Sequence, residues 1–135
     1  MSEPRGIRNH NPGNIRHGAK WNGLAEEQLD KSFCTFKTPE HGIRAMGKIL
    51  ITYQDKYGLD TVSGIIDRWA PPIENDTNAY AEHVAKQLEV GVDEPIVVRS
   101  FLDKLCTAII RHENGVQPYD IATVQRGVNM AMGVA

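Results

Sequence analysis

Glu113 is the side chain of this sequence best placed to do chemistry, because it ends the apolar face of a predicted helix. Leu102, Cys106 and Ile109 precede it at i, i+4 and i+7, and Glu113 falls at i+11. The four side chains therefore share one stripe. Asn114-Gly115 ends the helix directly afterwards. The partial negative charge of a helix C-terminus and partial burial both disfavour the charged form of a carboxyl.

A carboxylic acid that keeps its proton can protonate the oxygen of a glycosidic bond. Glycoside hydrolysis commonly uses such an acid together with a second carboxylate. Acids in two irregular segments are candidates for that second group, although each is better explained as a solvated surface charge. The candidates are Glu26, Glu27, Asp30, Glu74 and Asp76. Glu113 has a structural alternative too, that of a helix-ending acid turned to water.

The elements that must position these side chains are mainly helical. Apolar residues recur at spacings of three and four, and hydroxyl, acidic, proline and glycine residues mark the ends. Five helices are predicted, as follows: Thr38-Pro39-Glu40 to Gly58, Thr61–Trp69, Asp76 or Thr77 to Gly91, Pro95 to Glu113, and Ile121–Met132.

The first 32 residues are rich in Gly, Asn and Arg and show little periodicity, which favours irregular backbone with tight turns. Two short strands are predicted, near Asn14–His17 and over Ser32–Lys37. Since no linker or repeat divides the chain, the sequence predicts a single domain over residues 1–135, of the mainly α (α+β) class, with about five helices and a small two-stranded element.

Composition excludes several classes of function. The 135 residues are 41% hydrophobic and 24% charged, with a net charge of −2, which suits a globular domain and not a nucleic-acid-binding protein. We expect neither a metal nor a nucleotide nor another cofactor, because the histidines lack paired ligand spacing and no glycine-rich phosphate loop is present. Cys34 and Cys106 indicate either two buried thiols or one disulfide.

No apolar run approaches the roughly 20 residues that span a bilayer, so membrane insertion is not expected. The N-terminal segment MSEPRGIRNHNPGNIR has no apolar stretch of the kind found in signal peptides. We therefore expect synthesis in a cytoplasm. Transport by other means would then carry the protein to any site of action outside it.

Four segments resemble parts of lysozyme-like lytic transglycosylases and bacterial N-acetylglucosaminidases. AIIRHENG is similar to the helix that carries the catalytic acid of those enzymes, and NHNPGNIRHG is similar to their NPGNI segments. The other two segments are SFCTFKTPEHGIRAMGKILITY and RWAPPIENDTNAYAEHVAKQL. Nearly the whole chain also resembles small phage and prophage proteins marked by RGIRNxNPGNIR and RWAPPxENDT, which are described as virion-associated or lytic.

The resemblance implies a lysozyme-like fold in an unusual order. The helix that carries the acid comes first in the enzymes, whereas here it follows the other matching segments. The implied fold is therefore a circularly permuted lysozyme-like domain, which is physically tolerable because chain termini lie at the surface, often close together.

The resemblance also implies roles for individual residues. Each has a structural alternative: a tight turn for the Asn11–Asn14 segment, core packing for Tyr80, and closure of a helix for Trp69. The implied set is Glu113 and Tyr80 as catalytic residues, with Asn11, Asn14, Ile15 and Trp69 binding substrate.

The function implied in this way is cleavage of the MurNAc–GlcNAc backbone of peptidoglycan by a glycosidase or lytic transglycosylase. Its site of action would be the bacterial cell wall, reached either during phage lysis or from the virion, where virion components would be partners. Lytic transglycosylases need one acid, which protonates the leaving oxygen and then helps the muramyl 6-hydroxyl to form a 1,6-anhydro ring. Two alternatives stay open: a non-catalytic virion structural or wall-binding protein, and a peptidoglycan endopeptidase, although no nucleophile or metal set is visible for the latter.

Overall fold

The computed structural model of the protein describes residues 3–73 and 75–134. Most of this described part is helical, so the prediction of a mainly α chain is confirmed. Its helices are α1 (Arg5–Arg8), α2 (Pro39–Tyr57), α3 (Val62–Trp69), α4 (Thr77–Leu88), α5 (Val98–Asn114) and α6 (Ile121–Met132).

The ends of α2 follow from local sequence. The Thr38 hydroxyl accepts a hydrogen bond from the backbone N–H of His41, and Pro39 occupies the first turn, where its missing N–H costs nothing. Gly58 ends the helix in the left-handed region at φ 66°. The same kind of cap begins α6, where Asp120 accepts from the N–H of Thr123. These two helices match their predicted bounds.

Two predicted helix ends are wrong, and one helix was not predicted. α4 stops at Leu88 and not at Gly91, because Glu89 itself turns into the left-handed region at φ 59°. α5 begins at Val98, three residues after Pro95. The short α1 has no side-chain cap, so no capping residue marks its start in the sequence.

The predicted two-stranded element is also corrected. In the described chain the two segments meet only as one isolated antiparallel bridge, Arg16 with Phe33, and Leu24, outside both segments, forms a second bridge with Phe36. Side chains take the hydrogen bonds that a longer ladder would need: Asp30 Oδ1 accepts from the N–H groups of Ser32 and Phe33. Residues 14–37 therefore form an irregular loop that is held by two bridges and by side-chain hydrogen bonds.

Apolar residues of all six helices form one continuous core, in which α5 packs against α1, α2, α4 and α6. Two glycines let α6 approach α2 closely. A Cβ on Gly47 would lie 2.6 Å from the Cβ of Ala131, and one on Gly127 would lie 2.6 Å from the Cβ of Ile43. Cys34 and Cys106 are both free and buried, so of the two predicted possibilities the buried thiols are found.

Asp30 ties the N-terminal segment to α1. Its carboxylate accepts two hydrogen bonds from Arg5, at 2.6 and 2.7 Å, and one from the side-chain amide of Asn9 at 3.0 Å. The Arg5 guanidinium is the main reason that the pKa of Asp30 lies far below its ordinary value. This fixed loop forms one wall of the candidate site.

Candidate active site

The C-terminal ends of α3 and α5 meet the loop of residues 13–16 around an open groove of about 350 Å³. Part of α2 also lines it. The lining combines aromatic rings with a few polar groups, a composition typical of sites that bind small polar ligands. The rings belong to Phe33, Tyr53 and Trp69, and the polar side chains are Asn14, Arg16, Asn75 and Glu113.

Glu113 is partly buried at the end of α5, where its carboxylate faces this groove. The Tyr80 hydroxyl donates a hydrogen bond to its Oε2 at 2.9 Å. The Asn14 Nδ2 donates to its Oε1 at 3.2 Å. Both oxygens are thus held by neutral donors from separate parts of the chain, which fixes the orientation of the carboxyl group.

Tyr80 lies behind the groove and not in its lining. Only 1% of the residue is exposed, and its ring stacks on the imidazole of His112 with centroids 3.6 Å apart. Burial, and then the nearby charge of Glu113, raise the pKa of Tyr80 far above its ordinary value. The phenol therefore stays neutral, and it can act on Glu113 as a hydrogen-bonding partner but not as a base.

Asn14 reaches Glu113 because the preceding turn places it in the left-handed region, at φ 52°. Asparagine tolerates this region better than most residues. Gly13 is required for space: a Cβ there would lie 2.7 Å from Met46 Cγ and 3.1 Å from Trp69 Cζ2. The Asn-Pro-Gly-Asn sequence is thus explained by a turn pressed against α2 and α3, with one amide pointing at the acid.

Asn11 does not fit its predicted role. Its side chain is fully buried, and its Nδ2 donates to the carbonyls of Ile15 and Cys34, both at 2.9 Å. Its Oδ1 accepts from the Ile15 N–H. With these bonds made inside the protein, the amide cannot face a substrate and serves to hold the turn. Ile15 is 8% exposed, and it contributes to the groove lining.

Asn114 is a positioning residue that sequence reasoning treated only as a helix stop. Its Nδ2 donates to the Pro12 carbonyl at 2.8 Å and to the Ile110 carbonyl at 2.9 Å. It therefore fastens the end of α5 to the turn that carries Asn14. Nothing in the local spacing gives this contact, since Pro12 and Asn114 are 102 positions apart.

No second carboxylate joins Glu113 in the lining formed by the described residues. Asp30 is paired with Arg5, and Asp76 caps α4 by accepting from the Ala79 N–H. Glu26 and Glu27 are exposed outside the groove. The remaining candidate, Glu74, lies outside the described residues, and it precedes Asn75 in the sequence.

His112 and His83 approach the rear of the site, with ring centroids 5.8 Å apart. Burial lowers the pKa of His112, an effect that the charge of Glu113 opposes. The sequence singled out neither of them, nor the groove-lining Phe33 and Tyr53. The spacing of apolar residues predicted that α2 has an inner face, but it could not show that this face reaches a groove.

The sequence is 43% identical over 127 residues to Protein P5 of Pseudoalteromonas phage PM2, an alignment that covers 91% of this chain and 79% of P5. The chain belongs to the P5 family. The match supports a bacteriophage origin, whereas no protein-family model matches the sequence. The name P5 states no activity or substrate, so the function of this P5-family chain has to come from its site.

Two features are absent from the described part of the P5-family chain, a metal-binding cluster and a membrane-spanning helix. Across residues 3–73 and 75–134, no three His, Cys, Asp or Glu side chains are grouped in a way that could hold a metal ion. In the same part of the chain, no helix has the length and apolar character needed to cross a membrane.

Proposed function

We propose that this P5-family chain is a peptidoglycan-degrading enzyme that cleaves the MurNAc–GlcNAc backbone, with Glu113 as general acid and then base. One observation carries the proposal: a carboxyl group at the apolar end of α5 faces a groove while two neutral donors hold both of its oxygens. Such an arrangement orients the carboxyl group without pairing it with a cation.

In the proposed first step, protonated Glu113 gives its proton to the bridging glycosidic oxygen, and the bond from that oxygen to the muramyl C1 breaks. The Glu113 carboxylate then takes the proton of the muramyl 6-hydroxyl, whose oxygen attacks C1 and closes the 1,6-anhydro ring. The proton is back on Glu113 at the end, and no water is consumed. Glu113 is the one carboxylate of the groove lining in the described chain, which favours this single-acid route over hydrolysis by two carboxylates.

Tyr80 and Asn14 would support Glu113 in both protonation states. Each donates to the carboxylate in the structure. A hydroxyl also accepts hydrogen bonds, so the oxygen of Tyr80 can receive the proton of the protonated acid. Asn14 Oδ1 is buried without a hydrogen-bond partner among the described residues, and rotation of this amide would present an acceptor in place of a donor.

Aromatic side chains would hold the sugar rings. Trp69 and Tyr53 line the groove, and an apolar sugar face packs well on an aromatic ring, whose area buries efficiently. The amides of Asn14 and Asn75 lie in the same lining and can pair with acetamido groups. Asn11, which was expected to share this role, is left out for the reasons above.

We propose the permuted lysozyme-like fold together with this activity. Support comes from the order of the elements: the acid ends α5, whereas the loop of residues 13–16, α3 and α4 all precede it in the chain. A variant whose original termini are joined and whose chain is reopened before α5 should restore the order of the lytic transglycosylases. We expect it to fold and keep activity, and loss of folding in several such variants would count against the permutation.

Mass spectrometry of digested cell-wall sacculi tests the activity most broadly. We expect 1,6-anhydromuramyl products from the native chain and none from a heat-denatured sample. Reducing muramic acid would indicate hydrolysis with a second carboxylate, for which Glu74→Gln is the variant to examine. Free amino groups with intact glycan would identify an endopeptidase and would contradict the proposal.

The single carboxylate also motivates the second candidate function, a virion or wall-binding protein without catalysis. Co-sedimentation of the chain with sacculi that release no product would support it. If the enzyme proposal holds, detection of the chain in purified particles would indicate action during entry, and its absence there would indicate action during lysis.

A further inference from the structure

Two arginines hold their guanidinium groups over the ring of Phe33, but only one of them has an acidic partner. The guanidinium carbon lies 4.6 Å from the ring centroid for Arg5 and 5.0 Å for Arg16. Arg5 is neutralised by its two hydrogen bonds to Asp30. Across residues 3–73 and 75–134, no acidic side chain forms an ion pair with Arg16. The positive charge of Arg16 is therefore available to a ligand.

Arg16 is held in place where it lines the groove. Its backbone forms the antiparallel bridge with Phe33, and the neighbouring His17 N–H donates to the Ser32 carbonyl at 3.3 Å. Contact of the guanidinium with an aromatic face leaves the N–H donors at its edge free. The chain thus presents a planar, pre-positioned cation beside the site of Glu113.

The described lining of the groove carries a net positive charge only when Glu113 is protonated. In the described lining, Arg16 is the one cation and Glu113 the one acid. Arg68 adds a second exposed cation nearby, 5.4 Å from the centroid of the groove-lining Tyr53. When Glu113 carries a proton, these arginines have no opposing charge in the lining, so an acidic ligand is favoured over a neutral one.

We propose that Arg16 determines specificity by binding a carboxylate of the glycan strand, so that the groove selects acidic over neutral glycan. The inference rests on the proposed function, because peptidoglycan supplies the carboxylates. They come from two sources, the lactyl group of muramic acid and the stem peptides. A guanidinium pairs with either through two parallel hydrogen bonds.

Binding measured without turnover tests this inference, with Glu113→Gln as the background. The ligands are glycan strands of equal sugar length: peptide-bearing strands, strands stripped of peptides, and neutral chitooligosaccharides. At low ionic strength we expect at least one acidic ligand to bind about five-fold more tightly than the neutral one, a preference that shrinks in high salt. Arg16→Gln should abolish the preference. The control Lys104→Gln removes a charge from a different surface depression and should preserve it.

Equal binding of stripped and peptide-bearing strands would assign the contact to the lactyl carboxylate. Tighter binding of the peptide-bearing strands would assign it to the stem peptides. Equal binding of acidic and neutral glycan, a preference that survives Arg16→Gln, or no binding of any of the three would overturn the inference. An Arg16-dependent preference without any product from native sacculi digests would refute the proposed activity alone, so the two failures are distinguishable.

Discussion

Asp30 and Glu113 are two carboxylates that both join the N-terminal segment to a helix, yet their surroundings differ. Asp30 accepts hydrogen bonds from a cation, a side-chain amide and two backbone N–H groups. Glu113 accepts from a phenol and an amide and faces a groove. The cation fixes the first group in its charged form, whereas the second has only neutral donors. Similar acids can therefore serve as anchor or as proton donor, depending on what surrounds them.

Among substitutions that leave both carboxylates in place, removal of the Tyr80 hydroxyl should have the largest effect on catalysis. Tyr80→Phe keeps the buried ring and its stack on His112 but leaves one carboxyl oxygen without its donor. We expect kcat to fall about 10- to 100-fold, as for loss of a hydrogen bond to a charged group, with KM little changed. Steady-state kinetics on solubilised glycan strands measure this split. An unchanged kcat would show that Tyr80 does not position the acid.

Asp30→Asn should do the opposite of Tyr80→Phe, lowering the melting temperature and leaving kcat nearly unchanged. The variant loses the Arg5 ion pair that joins α1 to the loop, so we expect the melting temperature to fall by roughly 5–10 °C. Because Asp30 lies outside the groove lining, kcat measured well below the melting temperature should change less than two-fold. Loss of activity with unaltered melting temperature would reverse the roles assigned to the two carboxylates.

Gly13→Ala tests the tight turn that brings Asn14 to Glu113. The added Cβ would press on Met46 and Trp69, and we expect a loss of about 1–3 kcal/mol in the free energy of unfolding, the usual cost of overpacking. Chemical denaturation measures it. Gly91→Ala is the matched control, since its Cβ would meet Glu94 at an ordinary 3.7 Å. Equal stability of both variants would argue against the tight turn described here.

The pH dependence of stability gives the smallest and most specific effect. The pKa of Asp30 is far below its ordinary value because Arg5 donates to it. Its contribution to stability is therefore complete above the unfolded pKa of about 4 and is lost as the pH falls further toward the folded value. Melting curves of the native chain should decline below about pH 4, more steeply than those of Asp30→Asn. Parallel declines would exclude Asp30 as the cause.

Local signals predicted the helices well where they were complete. The hydroxyl and proline that begin α2 and the acid that begins α6 are read directly from neighbouring residues. They failed where a side chain replaces a backbone hydrogen-bond partner, or where a residue other than glycine adopts the left-handed conformation that ends a helix. Asp30 takes the hydrogen bonds of a predicted strand, and Glu89 adopts a left-handed conformation that local sequence would assign to Gly91.

The candidate site, like the fold, was only partly predictable from local sequence. Periodicity placed Glu113 at an apolar helix end, and the structure brings it to a groove. The contacts that orient it join residues 33 and 99 positions apart, so spacing could not predict them. Asn11 was assigned to substrate because the resemblance to lysozyme-like enzymes implied that role. Its burial depends on the carbonyl of Cys34, 23 positions away.

The central claim is that Glu113 is the proton donor, and Glu113→Gln tests it most directly when product release and melting temperature are measured on the same sample. We expect release of muropeptides from sacculi to fall by about 1,000-fold or more, while the melting temperature stays within about 2 °C of the native chain because the amide has the same shape. Glu27→Gln, on an exposed glutamate outside the groove, should change neither quantity. Release at the native rate by a folded Glu113→Gln variant would contradict the account.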